Sequence, residues 1–480
     1  MRTQLQSVSE YQHSDHLIVL SDRHNLKWAA NLLSSEDIQA LELAMNNEVF
    51  SILFTQGPRF IFVEIMPDKK DESWRKEQVR KAGANLITVL RRHKIAQAVL
   101  LNHANTNYSQ QYAEGLVLGN YQFIKYFKDP SKLETSFKTL QVLNTALSPK
   151  QLEELSHELE AICWARDMIN EPLSYLTAPQ LAKEFEALGQ AAGFSTEVLG
   201  KGQIEALKMG GLLAVNRGSQ TPPTYTIMEW KPENAKNSQP IVLIGKGLVY
   251  DTGGVSLKPT PNSMDMMKCD MAGGAIVGSL LYLAAKNKLP LHIVGLVPAT
   301  DNRPGEDAYV PGDIIQMMSG AFVEVLNTDA EGRMILADAL HHAKSFQPSL
   351  VLDFATLTGA AAMATGTQAA VYYCHGDEQL RQQVQKSAFE VFERVVEFPL
   401  WDDYADLLKS DVADMKNIGG PYAGSITAAK FLQYFTEYNW LHFDIAGVAF
   451  LMKEEGYRTK GGNPFGIRLV YDFLKQQAEG

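Results

Sequence analysis

The alternation of apolar and polar positions divides the chain into three stretches. Over residues 1–147, apolar runs at 17–20, 60–65 and 96–101 have the length of buried strands and alternate with segments of helical spacing at 35–46 and 74–92. That order predicts a small α/β module. Ser148, Pro149, Lys150 and Gln151 then read as a helix start, with serine as N-cap, proline in the first helical position and glutamine at the third. Leu152, Leu155, Leu159, Ile162 and Cys163 continue it at helical spacing. The helix should end at Asn170-Glu171-Pro172, because the residue before a proline is pushed out of the helical region.

Beyond it, a helical segment at 179–192 is followed by extended runs at 225–230, 241–244, 291–297, 321–326 and 350–354. Continuous apolar strands separated by helices predict a mainly parallel sheet covered on both faces. The expected fold class is therefore α/β: a smaller N-terminal α/β domain (1–147), a connecting helix (148–170) and a larger C-terminal α/β domain (171–480) with a mainly parallel central sheet covered by helices.

The chain has 480 residues, 45% hydrophobic and 21% charged, which is enough for two or three domains with a large core. A formal net charge of −11 disfavours nonspecific binding to nucleic acid or anionic membrane. Three widely spaced cysteines, Cys163, Cys269 and Cys374, fit reduced thiols. The polar start, residues 1–15, lacks the apolar core of a secretory signal, and the apolar run 273–285 is too short to cross a bilayer. A cytoplasmic protein is expected.

Candidate chemistry gathers at three places. Gly245-Lys246-Gly247 closes the apolar run 241–244 and is followed by Tyr250-Asp251-Thr252-Gly253-Gly254 and Lys258-Pro259. Met267-Lys268-Cys269-Asp270-Met271 precedes the apolar helix-like run, and Asn327-Thr328-Asp329-Ala330-Glu331-Gly332-Arg333 follows 321–326. Taken alone, the last is an ordinary solvated turn or a local ion-pair network. In a loop, however, Asp329, Glu331 and Arg333 can converge, as residues two apart in a helix do not. Together, Asp251, Asp270, Asp329 and Glu331 would bring about four negative charges into one cleft, a cost that two divalent cations would remove. Oxygen-rich ligation without His or Cys suits Mn, Mg or Zn, with carboxylates bridging a pair about 3.5 to 4 Å apart. There is no HExxH and no paired-cysteine spacing, which argues against a mononuclear zinc site.

These residues resemble the leucine aminopeptidase (cytosol aminopeptidase) family of dinuclear metallopeptidases, whose NTDAEGR signature stands intact at 327–333. The resemblance also covers Asp353-Phe354-Ala355-Thr356-Leu357-Thr358-Gly359-Ala360 and Ala423-Gly424-Ser425-Ile426-Thr427-Ala428-Ala429, and runs from about Ala165 to the C-terminus. It implies that 171–480 is a metallopeptidase domain in which Lys246, Asp251, Asp270, Asp329 and Glu331 hold two Mn or Zn ions. It implies attack by a metal-bridged water or hydroxide, with Lys258 stabilising the developing oxyanion and Arg333 holding a bicarbonate as general base. Asp270 would anchor the free α-amine of the peptide. Met267, Thr356, Gly359, Ala446 and Ala449 would surround the first side chain, favouring Leu or Met, and Leu357 would contribute backbone groups. The family further implies a homohexamer. Val448 and Gly461-Gly462-Asn463-Pro464-Phe465 depart from the usual pattern and bear on pocket shape or packing.

Other polar residues fit structural roles: His103, His341 and His342 as packing or surface side chains, and Cys269 as core. Two other functions share part of the pattern. A two-metal phosphoesterase also uses bridging carboxylates, but a lysine ligand and an amine-reading aspartate argue against it. A DNA-binding role, known among bacterial relatives, needs a basic stripe that the acidic composition disfavours.

Overall fold

The computed structural model describes residues 3–23, 25–68 and 71–479. The chain forms two compact units, Met1–Cys163 with Lys453–Lys460, and Trp164–Met452 with Gly461–Gly480. The division falls inside the helix Pro149–Asn170. That helix starts as read from the sequence: the Gln151 amide donates to Ser148 Oγ at 3.3 Å and the Ser148 amide to Gln151 Oε1 at 3.1 Å.

The first unit is built on a six-stranded sheet in the order Gln4–Val8, Thr139–Leu143, Gln97–Asn102, Leu17–Ser21, Arg59–Ile65, Ser51–Gln56. All its pairings are parallel except the hairpin Ser51–Gln56/Arg59–Ile65. Leu17, Val19, Val63 and Val99 meet Trp28 and Leu41 in its core. His103 stacks on Trp28 with ring centroids 5.5 Å apart, a packing role. The helices Glu72–Arg92 and Ser109–Gly119 pack so closely that a Cβ on Gly115 would stand 1.9 Å from the Arg80 carbonyl oxygen.

Glu64, on the strand Arg59–Ile65, is buried and accepts from Ser51 Oγ at 2.9 Å and Tyr112 Oη at 3.2 Å. Burial outweighs those bonds and pushes its carboxyl up to about 7. A raised carboxyl pKa stabilises the folded state below the unfolded value, and that contribution is lost as pH rises through the folded one. The wild type should therefore lose on the order of 3 kcal/mol between pH 5 and 8 relative to Glu64→Gln, measured by urea unfolding at each pH. Parallel curves for the two proteins would show that Glu64 ionises freely in the fold.

The second unit holds a nine-stranded sheet. Its path runs Val395–Glu397, Ala370–His375, Trp440–Asp444, Leu350–Ala355, Ile241–Gly245, Ile293–Asn302, Thr224–Trp230, Ser195–Leu199, and Gly247–Asp251 pairs beside Ile293–Asn302. The four strands at its middle are parallel, and antiparallel pairings occur toward the margins. The helix Ala272–Lys286 is buried over almost its whole length, as a helix apolar on all sides must be.

One predicted strand belongs elsewhere. The run 321–326 forms only Phe322–Glu324, in a separate three-stranded sheet with Ile314–Gln316 and Met415–Lys416. Val323 and Val325 are buried while Phe322 and Leu326 are exposed. A run that alternates in this way suits a one-sided sheet at the periphery, whereas the central strands are buried on both faces.

Candidate metal centre

Four neighbouring parallel strands deliver polar groups to one edge of the large sheet. Lys246 follows Ile241–Gly245, Asn302 ends Ile293–Asn302, Thr356 follows Leu350–Ala355, and Asp444 ends Trp440–Asp444. This is the carboxyl edge, where parallel sheets place their ligands. The remaining acids are set around it by tight turns. Gly253 (φ +85°) and Gly254 (φ +65°) take the left-handed conformation after Asp251, and a Cβ on Gly253 would lie 2.8 Å from Asp329 Oδ1. Asn327 Oδ1 accepts from the Asp329 amide at 2.8 Å, and Thr328 Oγ1 donates to the Gly253 carbonyl at 2.7 Å, tying the two turns together.

The two lysines reach opposite parts of the cluster. Lys246 Nζ stands 2.8 Å from Asp270 Oδ2 and 2.9 Å from Glu331 Oε1, and donates to the Thr356 carbonyl at 3.0 Å. Lys258 Nζ stands 2.8 Å from Asp251 Oδ2 and 2.5 Å from Asp329 Oδ1. Gly332 leaves room for the first of them, since a Cβ there would lie 2.6 Å from Lys246 Cε. Asp251 Oδ1 is fixed from behind by the Gly253 amide at 2.8 Å and Asn302 Nδ2 at 2.9 Å, and Asp270 Oδ1 accepts from Thr356 Oγ1 at 2.6 Å.

Four carboxylates thus face two ammonium groups, which leaves an excess of two formal negative charges in a largely buried cluster. Burial, then Asp251, pushes Glu331 up to about 8 and Asp329 up to about 6. Asp270 is also raised, chiefly by burial. For both lysines burial alone would lower the pKa, but it is outweighed by Asp270, Glu331 and Asp251 around Lys246, and by Asp251, Glu331 and Asp329 around Lys258. Both therefore sit above the ordinary lysine value.

A cation fits this donor set. Asp251, Asp329 and Glu331 offer oxygens that all lie within 4.8 Å of one another. Glu331 Oε2 is buried with no hydrogen-bond partner, an arrangement that costs free energy unless something positive meets it. Asp270 joins the cluster through Lys246 and stands outside that tightest group of three.

Arg333 takes a hydrogen-bond partner of its own while still feeling the charge of Glu331. The helix Glu331–Ala343 begins at the second acid of the motif, so Glu331 and Arg333 are separated by a helical step of roughly 200°. Glu331 meets Lys246, while Arg333 Nη1 donates to the Asn417 carbonyl at 2.7 Å. Arg333 is buried, its Nε has no partner, and burial, opposed by Glu331 and Asp444, brings its pKa down to about 10.

A cleft of about 510 Å³ opens beside the cluster. Lys246, Asp251, Lys258, Asp270, Asp329 and Glu331 line it together with Met267, Thr356, Leu357, Gly359 and Ala446. Arg333 and Ala449 are not among its lining residues: Ala449 is fully buried, and its carbonyl accepts from the Asn463 amide at 2.8 Å.

Residues 163–471 match the family model described as "Cytosol aminopeptidase family, catalytic domain", and residues 68–130 match that family's N-terminal domain. The chain belongs to the cytosol aminopeptidase family. A probable cytosol aminopeptidase of Chlorobaculum tepidum is 50% identical over 314 residues, covering 65% of this chain and 62% of that relative's length. One of Geobacter sulfurreducens is 38% identical over 411 residues, covering 83% of this chain and 82% of the relative. Among solved structures, the bottromycin maturation enzyme BotP in complex with Mn superposes with a TM-score of 0.85 at 27% identity, over 97% of this chain and 100% of that one.

In this member of the cytosol aminopeptidase family, two further sets of residues shape the cleft. Met266, Ala362, Phe450 and Met452 also line the cleft, and nothing in their local pattern marked them. Asn302 and Asp444, which brace the cleft from behind, are equally unmarked: each ends a buried strand whose last residues mix polar and apolar side chains, Thr300 and Asp301 before Asn302 and His442 before Asp444.

Proposed function

We propose that the protein is a metal-dependent aminopeptidase of the cytoplasm, releasing N-terminal residues, Leu or Met first, from peptides. What carries the reading is one observation: Asp251, Asp329 and Glu331, the last with a partnerless Oε2, offer oxygens within 4.8 Å of one another at the wall of a cleft, with Asp270 joined to them through Lys246. These five would hold two divalent cations, Mn or Zn, within a catalytic domain at 171–480, joined by the helix at 148–170 to an N-terminal module at 1–147. When bound, such a pair supplies Lewis acidity at the scissile carbonyl and lowers the pKa of water toward neutrality.

The chain's own groups do the rest. Asp270, held by Thr356 Oγ1, would anchor the free α-amine, which leaves the next carbonyl toward the lysines. Lys258 Nζ would stabilise the negative oxygen that develops there. Arg333, with its Nε unclaimed, would hold a bicarbonate as general base. Lys246 would have to surrender its proton to act as a ligand, a step the excess of cation charge favours. Met267, Thr356, Gly359 and Ala446 would shape the pocket for the first side chain, Leu357 would offer backbone groups, and Ala449 would act through packing. Among the described residues no helix is long and apolar enough to cross a membrane.

The test is hydrolysis of leucine p-nitroanilide by chelated protein titrated with Mn or Zn. Activity should appear with the cation and be at least about 100-fold lower on the N-acetylated substrate, which lacks the amine that Asp270 reads. Equal rates on the blocked substrate would overturn the exopeptidase reading. Weighed by light scattering, the same preparation should give six chains, the assembly the family resemblance implies. The exposed Trp401, Val412 and Tyr422 are available to such contacts.

A further inference from the structure

We infer that Asp444 is a positioning residue: from behind the cleft it fixes the two backbone segments against which the peptide lies. The inference rests on the aminopeptidase reading above. Asp444 ends the strand Trp440–Asp444 and is buried. Its Oδ1 accepts from three backbone amides, Leu357 at 3.1 Å, Thr358 at 3.3 Å and Ala446 at 3.2 Å. Its Oδ2 accepts from Thr358 Oγ1 at 2.7 Å and Ser425 Oγ at 3.4 Å. Leu357, Thr358 and Ala446 all line the cleft, so one carboxylate ties together the segments after two adjacent parallel strands.

The geometry is specific about what this bracing does. Leu350–Ala355 is followed by Thr356, Leu357 and the extended Thr358, outside any regular element, before the helix Gly359–Thr365 starts, so the amides of 357 and 358 need a partner from elsewhere. Thr358 also caps that helix, its Oγ1 accepting from the Ala361 amide at 3.1 Å while donating to Asp444. Asp444 therefore sets the direction of the Leu357 peptide, the start of the helix and the turn at Ala446 at once. None of its hydrogen bonds goes to the metal cluster, so its loss should act on peptide binding rather than on the cations.

The charge of Asp444 also favours the charged form of Arg333, so charge and position must be separated. Asp444→Asn keeps an oxygen for the three amides and removes the charge, while Asp444→Ala removes both. With leucine p-nitroanilide and cation content measured for each protein, Asp444→Ala should raise KM roughly tenfold or more with a smaller change in kcat, and Asp444→Asn should stay within about threefold of wild type. Should the alanine variant be insoluble, Asp444→Ser, too short to reach all three amides, carries the same KM expectation. An unchanged KM in Asp444→Ala or Asp444→Ser, or an asparagine variant as impaired as alanine, overturns the inference. A wild type inactive on the substrate sinks the aminopeptidase reading itself, and this inference with it.

Discussion

Glu331→Gln is expected to leave a folded protein that takes up divalent cations poorly and hydrolyses leucine p-nitroanilide more than about 100-fold more slowly. The argument starts from position. Glu331 is the first residue of its helix, fully enclosed, with Oε1 on Lys246 and Oε2 facing no partner. Glutamine has the same shape and can keep an oxygen toward Lys246, so the neighbouring packing has no reason to collapse. What it lacks is the charge. Groups that merely orient a metal ligand typically cost 10- to 100-fold in affinity or activity, roughly, when removed. Glu331, as one of the three acids whose oxygens already lie within 4.8 Å of each other, should cost more than that. The change is read without reference to catalysis by thermal unfolding. A cation at about 100 times its Kd stabilises the wild type by about 2.7 kcal/mol, and most of that gain should vanish in the variant. A variant that still gains the full shift while losing activity would mean that Glu331 acts on substrate rather than as a ligand.

The parts of this arrangement that could be read from sequence share a physical cause. The runs at 17–20 and 241–244 are wholly apolar because they are buried on both faces, while those at 60–65, 96–101 and 350–354 each carry one polar residue (Glu64, Gln97, Asp353) and are still apolar enough to overlap strands of a main sheet. The acids of the cluster could be grouped because four carboxylates brought into one cleft are costly unless cations compensate them. Other features depend on partners far along the chain. The strands Ala370–His375 and Trp440–Asp444 were not expected, since tyrosines, a histidine and an aspartate interrupt their apolar character. His442 is tolerated there because its Nδ1 lies 2.6 Å from Asp353 Oδ1, and Trp440 Nε1 donates to Asp353 Oδ2, also at 2.6 Å. No local pattern announces such a pairing. The inward hydrogen bond of Arg333 is hidden in the same way: it follows from the helix starting at Glu331, and the buried Asn417, which receives it, lies in a loop that no apolar pattern marks.

The other large effect expected is at Lys258. The two lysines of the centre differ in burial, with the Lys246 side chain 2% exposed and that of Lys258 15%. Lys246 is enclosed among Asp270, Glu331 and the Thr356 carbonyl, whereas Lys258 reaches Asp251 and Asp329 from the open side. Lys258→Met keeps the reach of the side chain and removes its charge. The Asp251 carboxylate stays fixed by the Gly253 amide and Asn302, and the backbone of Asp329 by its own turn, so both acids should stay at the site. With an ammonium gone from beside them, cation affinity should stay level or rise. Hydrolysis should nevertheless suffer, because, of the two ammonium groups lining the cleft, this more exposed one is the charge-assisted donor proposed to meet the developing oxygen. Loss of one such donor typically costs about 2.7 to 4 kcal/mol, or roughly 10²–10³ in kcat, with KM little changed. The two variants therefore separate two roles that a loss of activity alone would merge: Glu331→Gln weakens the cation-induced thermal shift, and Lys258→Met preserves it while kcat falls. If Lys258→Met lost the shift as well, the lysine would be serving to hold the carboxylates in place, and stabilisation of the developing oxygen would have to come from another group on the cleft wall.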